Sequence, residues 1–485
     1  MNFETYLLPS RILRNSKQKL HDQLFKIIQE LIVNNKINPG DKLPSIRKLS
    51  AQLGISINTV IHTYQQLILE GYIETTTGKA ATVATELPII TNSRRVTKNN
   101  EFRKLKIHMN DSLGRSKNIK VNSKIDFRIG EIKMEVDFIA TLNKITNNHI
   151  PVTGEDLKNY ADPCGNLSLR REIAKLVHYK NNIICDERQI LITSGSQESL
   201  TLITHLTKSD HTNFISEKPG YIGLENLFKL LNINSIHCDS SDVESYISTI
   251  NTAGSATIFT TPAKQFPLGH SISEVDKVRI AESVSASGSL IIENYYDTDP
   301  LYQYTTPASF ISLIPNNTIH INSFTSTLGP AYRIGYIIAN KDIITKIASI
   351  KSLITASNSI INQNILANLL TTNAYDKHYK ILRRELLTKR NKLINILENC
   401  GGTLTGYNSG TYLNWDLSSS TIDTDLLLSK LLDENIIIYT VEMISNCKIN
   451  SNFKKILVIG YGGVSLNEID NLGSALMKHL KSCMK

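Results

Sequence analysis

The sequence predicts two structured parts of different class: a small helical module closed by a β-hairpin over residues 1–85, and an α/β body over 125–485 whose last portion, from about 400, is a smaller α+β unit. Three observations predict this. Apolar residues recur at helical spacing in the first 70 positions, and short β-rich runs alternate with helical patterns after about residue 125. Between them, residues 86–124 form a connector dominated by basic side chains. A chain of 485 residues is too long for one compact core and long enough for two or three domains.

The formal charge of +9 is unevenly placed. Residues 87–124 hold ten basic and two acidic side chains, about +8, and the first 86 residues hold about +3, so the remainder is near neutral. Either a polyanionic partner at the N-terminal end or a merely solvated connector fits that distribution. Cys164, Cys185, Cys238, Cys400, Cys447 and Cys483 lie far apart, with no paired spacing for zinc and no dense framework for disulfides. No basic-then-apolar leader opens the sequence, and no apolar run approaches the roughly 20 residues a membrane helix needs. A cytoplasmic protein without a membrane partner is the expectation.

In the first part, Leu20, Leu24, Ile27, Ile28, Leu31 and Ile32 predict a helix that Asn38-Pro39-Gly40-Asp41 breaks. Ser45 can cap a second helix with Ile46, Leu49 and Leu53 inward and Gly54 as its stop. Ser56 opens a third with Val60, Tyr64 and Leu67 on one side, ending at Gly71. Two short helices joined by Gly54-Ile55-Ser56 have the size of a helix-turn-helix, although any helical pair can be a packing unit. Tyr72-Ile73-Glu74 and Ala81-Thr82-Val83 flank the turn Thr77-Gly78-Lys79 as a wing would. In a helix-turn-helix the second helix enters the major groove, which would bring Ser56, Ile57, Asn58 and Thr59, then His62 and Thr63, to base edges and phosphates.

Pro39 to Leu49, Leu53 to Val60 and Leu67 to Ile73 closely resemble the GntR family of winged-helix repressors. The resemblance implies double-stranded operator DNA as partner, phosphate contacts from Ser45 and Arg47, and a wing, Lys79 included, over the minor groove. Ile57 stands where that family usually has an arginine, and Ala80-Ala81 where it has a second wing glycine. A lost arginine contact costs roughly 1–3 kcal/mol.

In the second part, the runs Ile190–Thr193, Asn213–Ser216, Ser235–Asp239, Ala256–Thr261, Ser289–Tyr296, Thr318–Phe324 and Ile334–Asn340 alternate with helical patterns. That alternation predicts a doubly wound sheet of buried parallel strands, followed by one long helical pattern over about 360–398 and a break at Gly401-Gly402. Ligands of such folds bind at the carboxyl ends of strands, with phosphates on helix N-termini. Thr193-Ser194-Gly195-Ser196-Gln197 is a strand end running into a helix, which fits a phosphate site or a plain cap.

Tyr160 to Gly165, Glu217 to Tyr221, Thr261 to Pro267, Glu293 to Asp297 and Ser323 to Tyr336 follow the order and spacing of the fold-type I, aminotransferase-like pyridoxal phosphate proteins. With the GntR-type module in front, the whole chain resembles the MocR subfamily of transcription regulators. The resemblance implies that Ser196, Gln197, Ser323 and Arg333 surround a cofactor phosphate and that Tyr160 reaches in from a dimer partner. It implies further that Tyr221 covers the pyridine face and Tyr296 donates to the ring hydroxyl. An ion pair is the alternative for Arg333.

Three elements of that family's chemistry are missing. Ser326 occupies the cofactor lysine's position, and a hydroxyl has no nitrogen with which to form an imine. Asn294 is neutral where an aspartate would hold the pyridine nitrogen protonated, and Glu293 and Asp297 alternate onto the opposite strand face. No arginine follows Arg390, so the small unit lacks a bidentate carboxylate clamp. Lys264 is the one nearby amine. The expectation is a regulator, not an enzyme. Its large domain would dimerise, in a domain-swapped arrangement that contacts two half-sites, and sense an unidentified anionic or phosphorylated effector. Covalent pyridoxal phosphate is not expected; pyridoxal 5'-phosphate held non-covalently, or another phosphorylated ligand, fits. The alternatives are an active pyridoxal phosphate enzyme with a DNA-binding appendage and a purely structural dimerisation body.

Overall fold

The computed structural model describes residues 12–14, 18–75, 80–88, 125–148, 158, 160–209, 212–299, 302, 308–445 and 451–484. Lys79 and all but the first three residues of the basic connector lie outside them. The chain divides into two compact units, Met1–His108 and Met109–Lys485.

In the first unit, α1 (Leu20–Val33), α2 (Ile46–Leu53) and α3 (Ile57–Leu69) precede β1 (Ile73–Glu74) and β2 (Thr82–Val83). The serines cap as their positions suggest: Ser45 accepts from Lys48 N and Ser56 from Thr59 N. Gly54 ends α2 at φ 63°, a left-handed turn that costs glycine little. Leu24, Ile28, Ile32, Leu49, Val60 and Leu67 are fully buried, while Leu20 and Ile27 lie at the margin of this core. Each such buried side chain contributes about 1.5–3 kcal/mol, more than the roughly 1 kcal/mol of a cap. Packing therefore holds the helices together, and the caps fix where they begin. β1 and β2 pair antiparallel, Ile73 opposite Val83, and make the wing.

The second unit is built on a seven-stranded sheet: β4 (Ile190–Thr193), β5 (Asn213–Glu217), β6 (Ser235–Cys238), β7 (Ala256–Thr260), β8 (Leu290–Asn294), β9 (Thr318–Ser323) and β10 (Gly335–Ile338), in the order β4-β10-β9-β8-β7-β5-β6. β5 to β9 run parallel, but β10 is antiparallel to both β4 and β9, which corrects the expected all-parallel sheet. The reason is length. Only residues 324–334 separate β9 from β10, too few for a covering helix and a return to the starting edge.

The expected helix over 360–398 is likewise two, Ile360–Thr371 and Ala374–Glu398, because Asn373 takes φ 57°, a conformation asparagine tolerates. In the smaller lobe, β11 (Thr403–Thr405), β12 (Tyr412–Asp416), β14 (Tyr439–Thr440) and β15 (Ile456–Gly460) form a four-stranded sheet in the order β11-β12-β15-β14. β3 (Ile125–Asp126) pairs in parallel with β13 (Ile436–Ile437), so the body's first strand belongs to this lobe. Leu382, Leu386 and Leu393 pack there with Trp415 and Leu476. No helix of the described residues is long and apolar enough to cross a membrane, and no group of three or more His, Cys, Asp or Glu among them could hold a metal ion.

Candidate functional site

A cavity of about 270 Å³ opens at the carboxyl edge of the seven-stranded sheet, near the lower size of ligand sites. Strand ends supply its wall: Ser196 and Gln197 follow β4, Tyr221 follows β5, Thr261 follows β7, Asn294 ends β8 and Ser323 ends β9. Arg333 joins them because β10 runs backwards, its Gly335 lying opposite both Thr193 and Ser323. A parallel β10 would have put Arg333 at the far edge of the sheet.

Arg333 is the one charged side chain among the described residues lining the cavity. Its guanidinium sits against Gly195, where an added Cβ would lie 3.4 Å from Nη2, and Gly195 itself holds φ 115°. Among the described residues Arg333 makes no ion pair, so the plain structural pairing considered from sequence is not formed. Beside it begins the twelve-residue helix Ser196–Thr207, whose N-cap Gly195 offers no side-chain cap. The Ser196 hydroxyl is buried without a hydrogen-bond partner. A helix N-terminus, an unpaired hydroxyl and an unpaired guanidinium converging on one space are the donor set of an anion site.

The rest of the wall is aromatic and neutral. The Tyr221 hydroxyl donates to Gln197 Oε1 at 3.0 Å, and Gln197 Nε2 donates to Gly223 O at 3.2 Å. Burial raises the Tyr221 pKa, against the pull of Arg333, and burial pushes Tyr296 up as well, so both phenols remain donors near neutral pH. Asn294 Oδ1 accepts from Tyr296 N at 3.1 Å, which leaves its NH₂ as the amide group not used by that bond. Ile129, Phe266 and Thr325 also line the cavity. Sequence reasoning did not name them as site residues. Phe266 stood in a segment already singled out, whereas nothing around Ile129 marked it.

Two expected residues are not in the wall. Ser326 is 8 % exposed but contributes no lining surface; Thr325 does so in its place. Tyr160 is 90 % exposed and is not among the described residues lining this cavity. The neighbouring carboxylates are engaged elsewhere. Glu293 accepts from Phe310 N, Ile311 N and His320 Nδ1, and Asp297 accepts from Thr411 and Lys264. Lys264 Nζ donates to Asp297 Oδ2, Ser409 O and Tyr412 O at 3.2, 2.7 and 3.0 Å and lies 3.7 Å from the Tyr412 ring centre. Its three protons are committed to holding the small lobe, and it is not in the cavity wall. Arg390 faces the Tyr302 and Tyr407 rings.

In the N-terminal unit, Ser45, Arg47, Ser56, Asn58 and His62 are exposed on α2 and α3, and Thr59 is half-buried. Arg14 Nη2 donates to Gly54 O at 2.9 Å, bracing the turn between these helices.

Two family models match the chain: bacterial regulatory proteins of the gntR family over residues 20–83, and aminotransferase class I and II over 122–458. MocR of Rhizobium meliloti, named as a probable rhizopine catabolism regulatory protein, is 23 % identical over 381 residues, covering 78 % of this chain and 77 % of its own. The HTH-type transcriptional regulator NorG of Staphylococcus aureus (strain USA300) is 27 % identical over 408 residues, 81 % of this chain and 90 % of its own. Among solved structures, the kynurenine aminotransferase of Pyrococcus horikoshii superposes with a TM-score of 0.65 at 18 % identity, over 75 % of this chain and 92 % of that one. The last match establishes the fold of the body, and each regulator aligns over more than three quarters of this chain. The chain belongs to the aminotransferase class I and II family, in the branch that carries a gntR-family module, the MocR-type transcription regulators.

Proposed function

We propose that this regulator senses a small phosphorylated or otherwise anionic ligand in the cavity beside Arg333, holds it without a covalent bond, and does not turn it over. It acts in the cytoplasm as a domain-swapped homodimer on double-stranded operator DNA. The observation that carries this is the Arg333 guanidinium, unpaired among the described residues, facing the uncapped helix Ser196–Thr207 and the unpaired Ser196 hydroxyl, in a wall whose described residues include no amine and no carboxylate.

Pyridoxal 5'-phosphate fits that wall at its phosphate and its ring but not at its aldehyde. Arg333, Ser196, Gln197 and Ser323 would hold its phosphate, Tyr221 and Tyr296 would meet its ring, and the Asn294 amide would donate to an unprotonated ring nitrogen. A bound pyridoxal aldehyde supplies electrophilic chemistry when an amine anchors it. Here Ser326 has none to give and Lys264 is committed elsewhere. An amide also cannot stabilise a protonated ring nitrogen as a carboxylate does.

The test is thermal unfolding of the full chain with pyridoxal 5'-phosphate, pyridoxal, inorganic phosphate and a panel of phosphomonoesters, followed by borohydride treatment and peptide mass mapping. A ligand at a hundred times its Kd should stabilise by about 2.7 kcal/mol, and the phosphorylated compound should outperform its unphosphorylated partner. A reduced lysine adduct, or a flat response across the panel, overturns the proposal. Footprinting the DNA flanking the protein's own gene with and without the stabilising ligand tests the operator role.

A further inference from the structure

The helix α3, Ile57–Leu69, contains no Lys, Arg, Asp or Glu. Its buried side is Val60, Thr63, Tyr64 and Leu67, and its free side presents Asn58, His62 and Gln65 at helical spacing. At its start Ile57 is 48 % exposed, an apolar side chain left in water at the position of closest approach to a groove.

The hydroxyls around it are already occupied. Ser56 Oγ accepts from Thr59 N at 3.1 Å and lies 2.8 Å from Thr59 Oγ1, and Thr63 Oγ1 donates to Thr59 O at 2.9 Å. Ser56, Thr59 and Thr63 therefore serve the helix itself. Ile57 and Asn58 are the exposed groups at its N-terminal end whose side chains are not engaged in the bonds of this turn.

That pair has a defined complement in DNA. Strong recognition of guanine uses the Arg or Lys fork on O6 and N7, and recognition of cytosine uses a carboxylate on its amino group. This helix has neither. An asparagine amide matches N6 and N7 of adenine, and an apolar side chain matches the thymine methyl. We propose that α3 reads A·T pairs, Asn58 bonding an adenine and Ile57 packing on the methyl of an adjacent thymine. The proposal rests on the DNA-binding role of the module and adds its base specificity.

The experiment selects binding sites from a random duplex pool with the full-length protein and titrates the enriched site. It is repeated with thymine replaced by uracil and adenine by 7-deazaadenine, and with the variants Ile57→Ala and Asn58→Ala. Both side chains are exposed, and a thermal melt of each variant confirms that it folds; the base analogues need no variant at all. Removing one packed methyl should weaken wild-type binding about four-fold, and the same uracil duplex should cost Ile57→Ala nothing further. The 7-deazaadenine duplex should bind roughly five-fold or more weakly to wild type and be no additional loss to Asn58→Ala. Enriched half-sites read at G·C pairs, or a uracil effect that persists in Ile57→Ala, overturn the A·T assignment and leave DNA binding intact. No enriched site would overturn DNA binding and this assignment together.

Discussion

Among the described residues no acid answers Arg333 at the cavity wall, and that isolation makes its contribution separable. A guanidinium in an ion pair would take stability with it when removed; an unpaired, exposed one takes little, within about 0.5 kcal/mol. Arg333→Ala should therefore leave the urea midpoint of the free protein nearly unchanged while abolishing the stabilisation by phosphorylated ligand, measured by parallel denaturant melts with and without the ligand. A large loss of stability in the ligand-free variant would instead make Arg333 a structural residue. Ser326 shows what a sequence reveals at this scale and what it hides. The resemblance of Ser323 to Tyr336 to the cofactor-lysine segment of the pyridoxal phosphate proteins marked the missing amine. That Thr325 rather than Ser326 faces the cavity depends on how the four-residue helix Thr325–Leu328 is turned, which no spacing encodes. Lys264 was open for the same reason. Its three acceptors come from Asp297, Ser409 and Tyr412, remote in the chain and brought together only by the packing of the small lobe.

The helix Ser196–Thr207 must present its first turn to the cavity in one fixed pose, and Glu198 provides the fixation from the opposite side. It accepts from Ser194 N, from Asn358 Nδ2 at 3.1 Å and from Thr355 Oγ1 at 3.0 Å. Burial alone would raise its pKa, but these donors, with Lys351 nearby, outweigh it and hold the carboxyl below its ordinary 4.5. A depressed folded pKa means that the unfolded chain binds the proton more readily. Glu198 thus stabilises fully above about pH 4.5 and loses that contribution as pH falls through the folded value. Glu198→Gln should cost about 1–3 kcal/mol at pH 7, the range for leaving buried donors poorly matched, and the gap to wild type should narrow in urea melts taken toward pH 3. An equal gap at both ends would show that the charge is irrelevant. At the level of elements the seven strands were legible because each is a short β-rich run bounded by turns. The direction of β10 was not, since alternation reports burial and not polarity; the eleven residues between β9 and β10 held that information, and it is this reversal that delivers Arg333 to the site.

Over the whole chain, charge and chemistry are divided between ends. About +8 lies in residues 87–124 and about +3 before them, while the aminotransferase-like body is near neutral, with Arg333 the one cation among the described residues of its cavity wall. Composition made that division visible, but the geometry of the connector lies outside the described residues. Linkage nonetheless constrains how the ends can communicate. If ligand in the cavity changes operator affinity by a given factor, operator must change ligand affinity by the same factor, because both paths close one thermodynamic cycle. A working sensor should show a factor of about 5–150, and a ligand indifferent to the DNA-bound state can shift nothing however tightly it binds. Operator affinity measured by fluorescence anisotropy with saturating phosphorylated ligand, and ligand affinity measured by calorimetry with saturating operator, should therefore move by matching factors, both of which vanish in Arg333→Ala. All comparisons need one fixed salt concentration, since the basic segments make DNA affinity fall steeply as counterions are added. Ligand binding that is tight yet identical with and without operator would reduce the large domain to a dimerisation body.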